Sequence, residues 1–439
     1  MSTRFLSGLV LLTACSVVAL PAMAGSQARI VRLSDVHGSV QINKNSGLGF
    51  ERAFLNLPIT QGTELKTLSD GRAEIEFEDG SSLRLAPNSL IRFSTLGLSD
   101  SGVRNSVVDL PEGLAYVNWL GKDKISLKFS KETASLDQAA HFRVMNASDQ
   151  AALAVFKGEV AVDGPAGKVT LAKNKTASFD PADNDKSEVA SKIKEIPSDA
   201  WDKDATSYHD EYAKAKNDSS PYGYGLSDLN YYGAFTNVAG YGMMWQPFFT
   251  GVGWDPFMDG AWGFYPGMGY MFASAYPWGW LPYRYGNWMF VPAMGWMWQP
   301  GGWNSWLAVP SYTATSLAPV HLAAPTGSVN TVVVGRAVAT STLPSSSMRL
   351  ASGTAGLSVP RGSFENLKNL NREVVSKGFA EMHPMPQFAV QTQRRAGSGG
   401  GMHEGMPGYS LGTASSAPPS VSSSSSSHAS GVAAGGARR

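Results

Sequence analysis

The chain has 439 residues, a formal net charge of +1, 16% charged residues and 43% hydrophobic ones. That length allows two or three domains with ordinary cores, and the near-zero charge excludes an electrostatic case for nucleic acid or an anionic membrane as partner. Abundant glycine and serine with few charges favour β-structure and low-complexity sequence over a helical protein.

Arg4 precedes an apolar run from Phe5 to Leu20, and Ala22-Met23-Ala24 forms a small-residue cleavage site before Gly25. This predicts a secretory signal peptide over residues 1–24 and an exported protein of the periplasm or cell surface. The run is shorter than the ~20 apolar residues that a span needs, and no later segment is long and apolar enough to cross a bilayer. The single cysteine, Cys15, lies in this segment. There Leu12-Thr13-Ala14-Cys15 also resembles a bacterial lipobox, so acylation of Cys15 is the alternative. Cleavage after Ala24 leaves a chain with no disulfide, thiolate metal site or cysteine nucleophile.

Residues 25–185 read as short strands and turns. In "GRAEIEFEDGSSLRL", Ala73, Ile75 and Phe77 alternate with Glu74, Glu76 and Glu78, the pattern of a half-buried strand. A two-residue Asp79-Gly80 turn would set Ile75 opposite Arg84. A three-residue loop, Glu78-Asp79-Gly80 with a left-handed Gly80, pairs Ile75 with Leu83 and Glu74 with Arg84 and keeps one face apolar. Further on, a two-residue Lys157-Gly158 turn would pair Val155 with Val160 and Leu153 with Val162. Asp163-Gly164 and Lys173-Asn174 mark more turns, and Trp119 is a core residue.

These residues resemble the FecR domain. The resemblance rests on Gly38 in "DVHGSVQI", on Gly62, Leu65 and Thr67, on Asp79-Gly80-Ser81 after the alternating strand, and on Gly158 and Val160 in a late hairpin. It implies a periplasmic β-domain of the kind that links an outer-membrane receptor to a sigma factor. The family's cytoplasmic segment and membrane span have no counterpart here, so the resemblance carries the β-domain and not sigma-factor regulation.

Residues 186–218 are polar and predict a helical linker. Pro197 breaks the run, and Ser198 caps a helix starting at Asp199. Trp201, Ala205, Tyr208 and Tyr212 then share one face, docked on the neighbouring β-domain. His209 and Glu211 on the same helix read as solvated.

Residues 219–312 concentrate the aromatic side chains. "GWDPFMDGAWGFYPGMGYMF" from Gly253 aligns with "GWLPYRYGNWMFVPAMGWMW" from Gly279 at an offset of 26, and "GYGMMWQP" echoes "GWMWQP". The period predicts one hairpin used about three times. Trp288 and Phe290 would point to the same side as Trp296 and Trp298, with Pro292–Gly295 as the turn between the strands and Pro256 and Pro282 at edges or strand starts. Arg284 is the one charge in the second repeat. The block resembles a tryptophan-rich domain of unknown function found in bacterial exported proteins, often after a FecR domain. Two readings of the rings stay open: a core alone, or a core with a binding face formed by Trp254, Trp262, Trp280, Trp288, Trp296, Trp298 and Tyr283.

Residues 313–439 shift to Ala, Ser, Thr, Pro and Gly and predict a mostly disordered low-complexity tail, with one helix from Phe364 to Lys377 ending at Gly378. Gly408-Tyr409-Ser410-Leu411-Gly412 matches a hydrolase nucleophile motif but lacks the flanking strand and helix. The seven histidines show no metal-ligand spacing, and Asp255 and Asp259 fit turns better than an acid–base pair. The expected fold is mainly β: a FecR-like domain of stacked short strands and hairpins, a linker helix, a second small all-β aromatic domain and a tail. The expected function is an exported, non-enzymatic binding or scaffolding protein, without metal or cofactor, contacting an envelope glycan or an envelope protein. The alternative is a periplasmic FecR-type sensor in envelope or iron signalling that acts through a separate membrane partner.

Overall fold

A computed structural model describes residues 29–98, 102–213, 223–251, 253–301, 306–313, 322–326, 330–336 and 347–383. The expected signal peptide over 1–24, Cys15, and the serine motif at 408–412 lie outside them. The fold is mainly β, with four helices among the described residues: α1 (Pro197–Tyr212), α2 (Leu226–Tyr232), α3 (Leu281–Arg284) and α4 (Leu367–Lys377).

Residues 31–190 form a seventeen-stranded sheet folded into two layers around one core. In the first layer the order runs Lys186–Ala190, Thr176–Asp180, Ala151–Lys157, Ala140–Asn146, the second half of Arg104–Trp119, Ser82–Leu85, Arg72–Glu76, Val31–His37 and Pro58–Ile59. The first half of Arg104–Trp119 belongs to the other layer, between Ser89–Leu98 and a parallel partner, Lys124–Phe129. Gly113 sits at the crossover with a φ of +104°; a Cβ there would lie 2.3 Å from Ser89 Oγ, so the bend needs glycine. Trp119 is buried against Phe77, as expected.

The Asp79-Gly80 hairpin has the expected register. Ile75 pairs with Leu83 and Glu74 with Arg84, Phe77 N–H bonds Ser81 O, and Gly80 is left-handed at +90°. The Lys157-Gly158 hairpin is corrected. Ala151–Lys157 pairs in the first layer, whereas Glu159–Gly164 pairs with Glu132–Leu136 and Gly167–Ala172 in the second. Apolar residues on both sides of Gly158 reflect a corner between layers that share a core. A Cβ at Gly158 would lie 2.4 Å from Ala139 O.

The stretch after residue 185 is also corrected. Lys186–Ala190 is a strand, and α1 starts at Pro197 instead of after it. Proline is suited to the first helical turn because its missing N–H would have no partner there. Asp199 Oδ2 accepts from Ile196 N–H at 3.0 Å, so Ser198 is not the cap.

The aromatic block consists of three hairpins: Gly233–Val238 with Gly242–Pro247, Gly260–Tyr265 with Gly269–Ser274, and Asn287–Val291 with Gly295–Gln299. The 26-residue offset is visible in the registers. Trp262 pairs with Phe272 as Trp288 pairs with Trp298, and Phe264 with Tyr270 as Phe290 with Trp296. Pro282 falls in α3 and Pro256 in the turn before Gly260, each ahead of a strand but not in one. Arg284 is buried without a carboxylate partner among the described residues. It donates to Phe272 O and Leu307 O and lies 4.8 Å from the Trp280 ring centroid, and burial lowers its pKa to about 10.

Beyond residue 313 the expectation of a mostly unstructured tail is corrected for part of its length. Val332–Val334 pairs with Gly260–Tyr265. Residues 347–383 form a strap in which Met348–Ala351 pairs with Phe379–Met382, and α4 runs from an Asn366 cap to a left-handed Gly378. Leu350, Leu357, Val359, Phe364 and Val374 join the aromatic core. Few apolar residues per window made this segment look unable to fold, but each one finds a place in a core built by other residues.

Candidate functional site

The site begins with the three glutamates of the alternating strand. They do not face solvent: Glu74 is 2%, Glu76 1% and Glu78 4% exposed. The half-buried reading is corrected because α1, α2 and the strap cover that face. Each glutamate has a basic partner. Glu78 takes a two-pronged bond from Arg29, at 2.8 Å for both nitrogens. Glu76 pairs with Arg32 at 3.1 Å and accepts from Gly225 N–H. Glu74 accepts from Arg84 at 2.7 Å, His209 at 3.0 Å, Arg361 at 2.8 Å and Ser34 at 2.8 Å. Arg84 also reaches Asp202, which holds His141 at 2.7 Å. Asp228 pairs with Arg32 at 2.6 Å and with Arg361 at 2.5 Å.

This layer joins the FecR-like sheet to the aromatic block. Neutral contacts reinforce it: Asn56 Nδ2 donates to Ser274 O and Tyr276 O, Arg32 to Pro277 O, and Tyr265 Oη to Pro58 O. Burial favours the neutral form of a carboxyl group. At Glu74 burial is the largest effect, yet His209, Arg84 and Arg361 together outweigh it and hold the carboxyl well below its ordinary range. At Glu76 burial prevails and the pKa is raised. At His209 burial is outweighed by Glu74 and Glu76, so the imidazole pKa is raised. His209 is therefore a buried partner in the network, not a solvated residue, while Glu211 is exposed.

A cavity of about 90 Å³ opens between the FecR-like sheet, α1 and the strap. Asp35 and His37 of Val31–His37, paired at 2.9 Å, form one wall with Arg72 and Glu74. Trp201, Asp204 and Tyr208 of α1 form the other, and Pro360 and Arg361 of the strap close one end. Arg72 lies 5.3 Å from the Trp201 ring centroid. A second cavity of about 40 Å³ shares Asp35, Pro360 and Arg361 with the first. The first cavity sets the charged groups of Asp35, His37, Glu74 and Arg361, each held in an ion pair, beside the half-buried Trp201 indole, an arrangement suited to hydrogen-bonding a small polar group. Among the described residues no group of three or more His, Cys, Asp or Glu is placed to hold a metal ion.

The seven rings expected as a binding face are brought together, but inward. Trp254, Trp262, Trp280, Trp288, Trp296, Trp298 and Tyr283 are each at most 5% exposed and share one core. The exposed platform is corrected: the repeat's aromatic side packs against α2, the Tyr276–Tyr285 stretch and the strap. Asp255 accepts from Phe257 N–H in a turn, and Asp259 is tied to Arg336 and Tyr276. Trp201, Ala205 and Tyr208 were expected only to dock on the β-domain, and none of the residues that line the cleft is among the expected binding residues. Their one available signal was the Glu74–Arg84 cross-strand pair, which already set a glutamate against a cation.

The family matches agree with this layout. Residues 63–161 match the FecR protein family, and residues 226–323 match a family of unknown function, DUF6600. The chain carries a FecR domain followed by this second, uncharacterised type, the order that the residues predicted. No curated protein matches it. Two solved structures of a candidate anti-sigma factor from Parabacteroides distasonis ATCC 8503 are similar at 20% and 18% identity, each with a TM-score of 0.28. The matches cover 31% and 34% of this chain, and 63% and 71% of the other. The chain thus spans less than two thirds of the first. No helix among the described residues is long and apolar enough to cross a membrane.

Proposed function

We propose that this is an exported, non-enzymatic binding or scaffolding protein of the bacterial envelope, whose FecR domain and aromatic block act as one body and which holds a polar ligand between the FecR sheet, α1 and the strap. The observation that carries this reading is the open cavity between Asp35, His37 and Arg72 on one side and Trp201, Asp204 and Tyr208 on the other. An indole beside paired carboxylates and guanidinium groups suits a sugar, which offers a flat apolar face and a rim of hydroxyls. An envelope glycan is the favoured ligand, and an envelope protein is the other outcome.

Retention on purified cell-wall glycan tests it. Wild type is retained, and Arg72→Ala and Asp204→Asn reduce retention while keeping the wild-type circular dichroism. Equal retention of all three proteins, or none, sinks the glycan assignment. Recovery of one envelope protein by cross-linking from the cleft transfers the reading to a protein partner. The buried indoles are unsuited to this test, because truncating them removes core.

A second reading is a FecR-type sensor that passes a signal to a separate membrane partner, in envelope or iron signalling. The FecR match over residues 63–161 favours it. Co-purification of an anti-sigma or receptor protein with the intact chain separates it from a scaffold role.

A further inference from the structure

At the far end of the two-layered sheet, the turn after Lys124–Phe129 meets the loop before Lys186–Ala190. Glu132 projects there from the first position of its strand. It is 2% exposed, and its Oε1 is fully buried with no hydrogen-bond partner. Its Oε2 lies against bare backbone: a Cβ on Gly164 would sit 1.7 Å away. Asp185, 1% exposed, lies beside it, with Oδ1 accepting from Ser130 Oγ at 3.3 Å and Oδ2 facing Lys131 Nζ at 2.7 Å. That lysine is 57% exposed on its side chain and approaches from solvent.

A buried carboxylate without a partner costs several kcal/mol unless a proton or a cation neutralises it. Burial first, and then the Asp185 charge, push the Glu132 carboxyl up to about 7. Elsewhere in this fold every comparable glutamate has a guanidinium: Glu74, Glu76 and Glu78 are each paired. Glu132 has none, although a second carboxylate, Asp185, comes beside it from a different loop and is held by the Ser130 hydroxyl of Glu132's own turn.

We propose that Glu132 and Asp185, with Ser130 Oγ, form a divalent-cation site of the calcium class. Oxygen ligands of this kind, completed by water, suit calcium, whose coordination is flexible. Magnesium demands a stricter octahedron and gives up water reluctantly, so it binds more weakly here. On binding, the cation takes the place of the Lys131 ammonium, which swings into solvent.

The test uses the full chain, stripped of divalent ions at neutral pH. Calorimetric titration with calcium chloride alone gives a saturable one-site heat, and near tenfold excess over Kd the ion raises Tm by about 2–4 °C. Glu132→Gln and Asp185→Asn lose both the heat and the shift. Glu132→Gln still unfolds cooperatively without calcium, because it removes a buried charge at constant shape. Lys131→Ala binds calcium several-fold more tightly. Absence of heat and of a Tm shift in wild type up to about 10 mM calcium overturns the site. So does an undiminished response in Glu132→Gln; in either case a proton fills the gap.

Discussion

Arg361 Nη1 donates to Glu74 Oε1 at 2.8 Å across 287 positions of sequence, and its other terminal nitrogen holds Asp228. One guanidinium from the strap therefore joins the FecR domain to the first helix of the aromatic block. Removing one member of a buried pair leaves its partner charged and unsolvated, which costs about 3–5 kcal/mol. Arg361→Ala is expected to lose that much in urea denaturation. Arg361→Lys recovers only part, since an ammonium does not reproduce the planar fork that spans both carboxylates. A loss below about 1 kcal/mol would contradict a structural role for the pair.

The second prediction concerns the chain end of the family match. A protein cut after residue 323, where the DUF6600 match stops, lacks Leu350, Leu357, Val359 and Phe364 from the aromatic core. It is expected to unfold without a cooperative transition in its tryptophan fluorescence, while the circular dichroism of the FecR sheet persists. A sharp transition at the wild-type Tm would show the strap to be dispensable.

Stability is expected to depend on pH through His209. Its folded pKa is raised above the ordinary 6.5, so its contribution is complete below about pH 6.5 and is lost as pH rises through the folded value. Glu74, lowered well below 4.5, contributes above about pH 4.5 and loses that contribution as pH falls through its folded value. Glu76 is raised, so its own decline begins near pH 4.5, ahead of the His209 window. Comparing wild type with His209→Gln isolates the histidine: the fall in Tm above pH 6.5 shrinks in the variant. Parallel curves above that pH would remove His209 from the account.

The indoles differ in what they can lose. Trp298 Nε1 donates to Tyr285 O at 2.9 Å, whereas Trp288 Nε1, its cross-strand partner, has no acceptor. Replacement by phenylalanine costs volume at both sites, but at Trp298 it also removes a buried hydrogen bond, about 1 kcal/mol more. Chemical denaturation of the two variants gives the difference directly; Trp288→Phe being the worse of the two would contradict it.

The repeat itself suggests a stabilising change. Gly267 in the second hairpin turn has a φ of +77°, and its counterpart Ala293 in the third has +64°. A left-handed alanine costs roughly 1–2 kcal/mol, partly offset by the extra freedom that glycine has when unfolded. Ala293→Gly is expected to gain about 0.5–1 kcal/mol. A destabilised variant would mean that the methyl group packs productively.

Local patterns made the hairpins legible. Ile75 opposite Leu83 followed from keeping one face apolar, and the hairpin that sets Trp288, Phe290, Trp296 and Trp298 on one side followed from alternation and an internal repeat, though not its register. The same logic failed at Gly158, where apolar residues on both sides mark a corner between layers rather than a hairpin. It failed again at Glu74, Glu76 and Glu78, because alternation cannot tell a wet face from one covered by distant elements. Their cations come from Arg29, Arg32, Arg84 and Arg361, and no sequence window contains them all. The strap was missed for a related reason: its few apolar residues complete a core they could not build alone.

The strand Arg104–Trp119 threads both layers and bends at Gly113. Neither layer has a seam of its own along which it could peel away, so the FecR domain opens as a unit. Amide protons at Val108 and Val117, on opposite arms of the bend, are thereby expected to share one opening free energy in hydrogen exchange, and a protease has no half-domain to release.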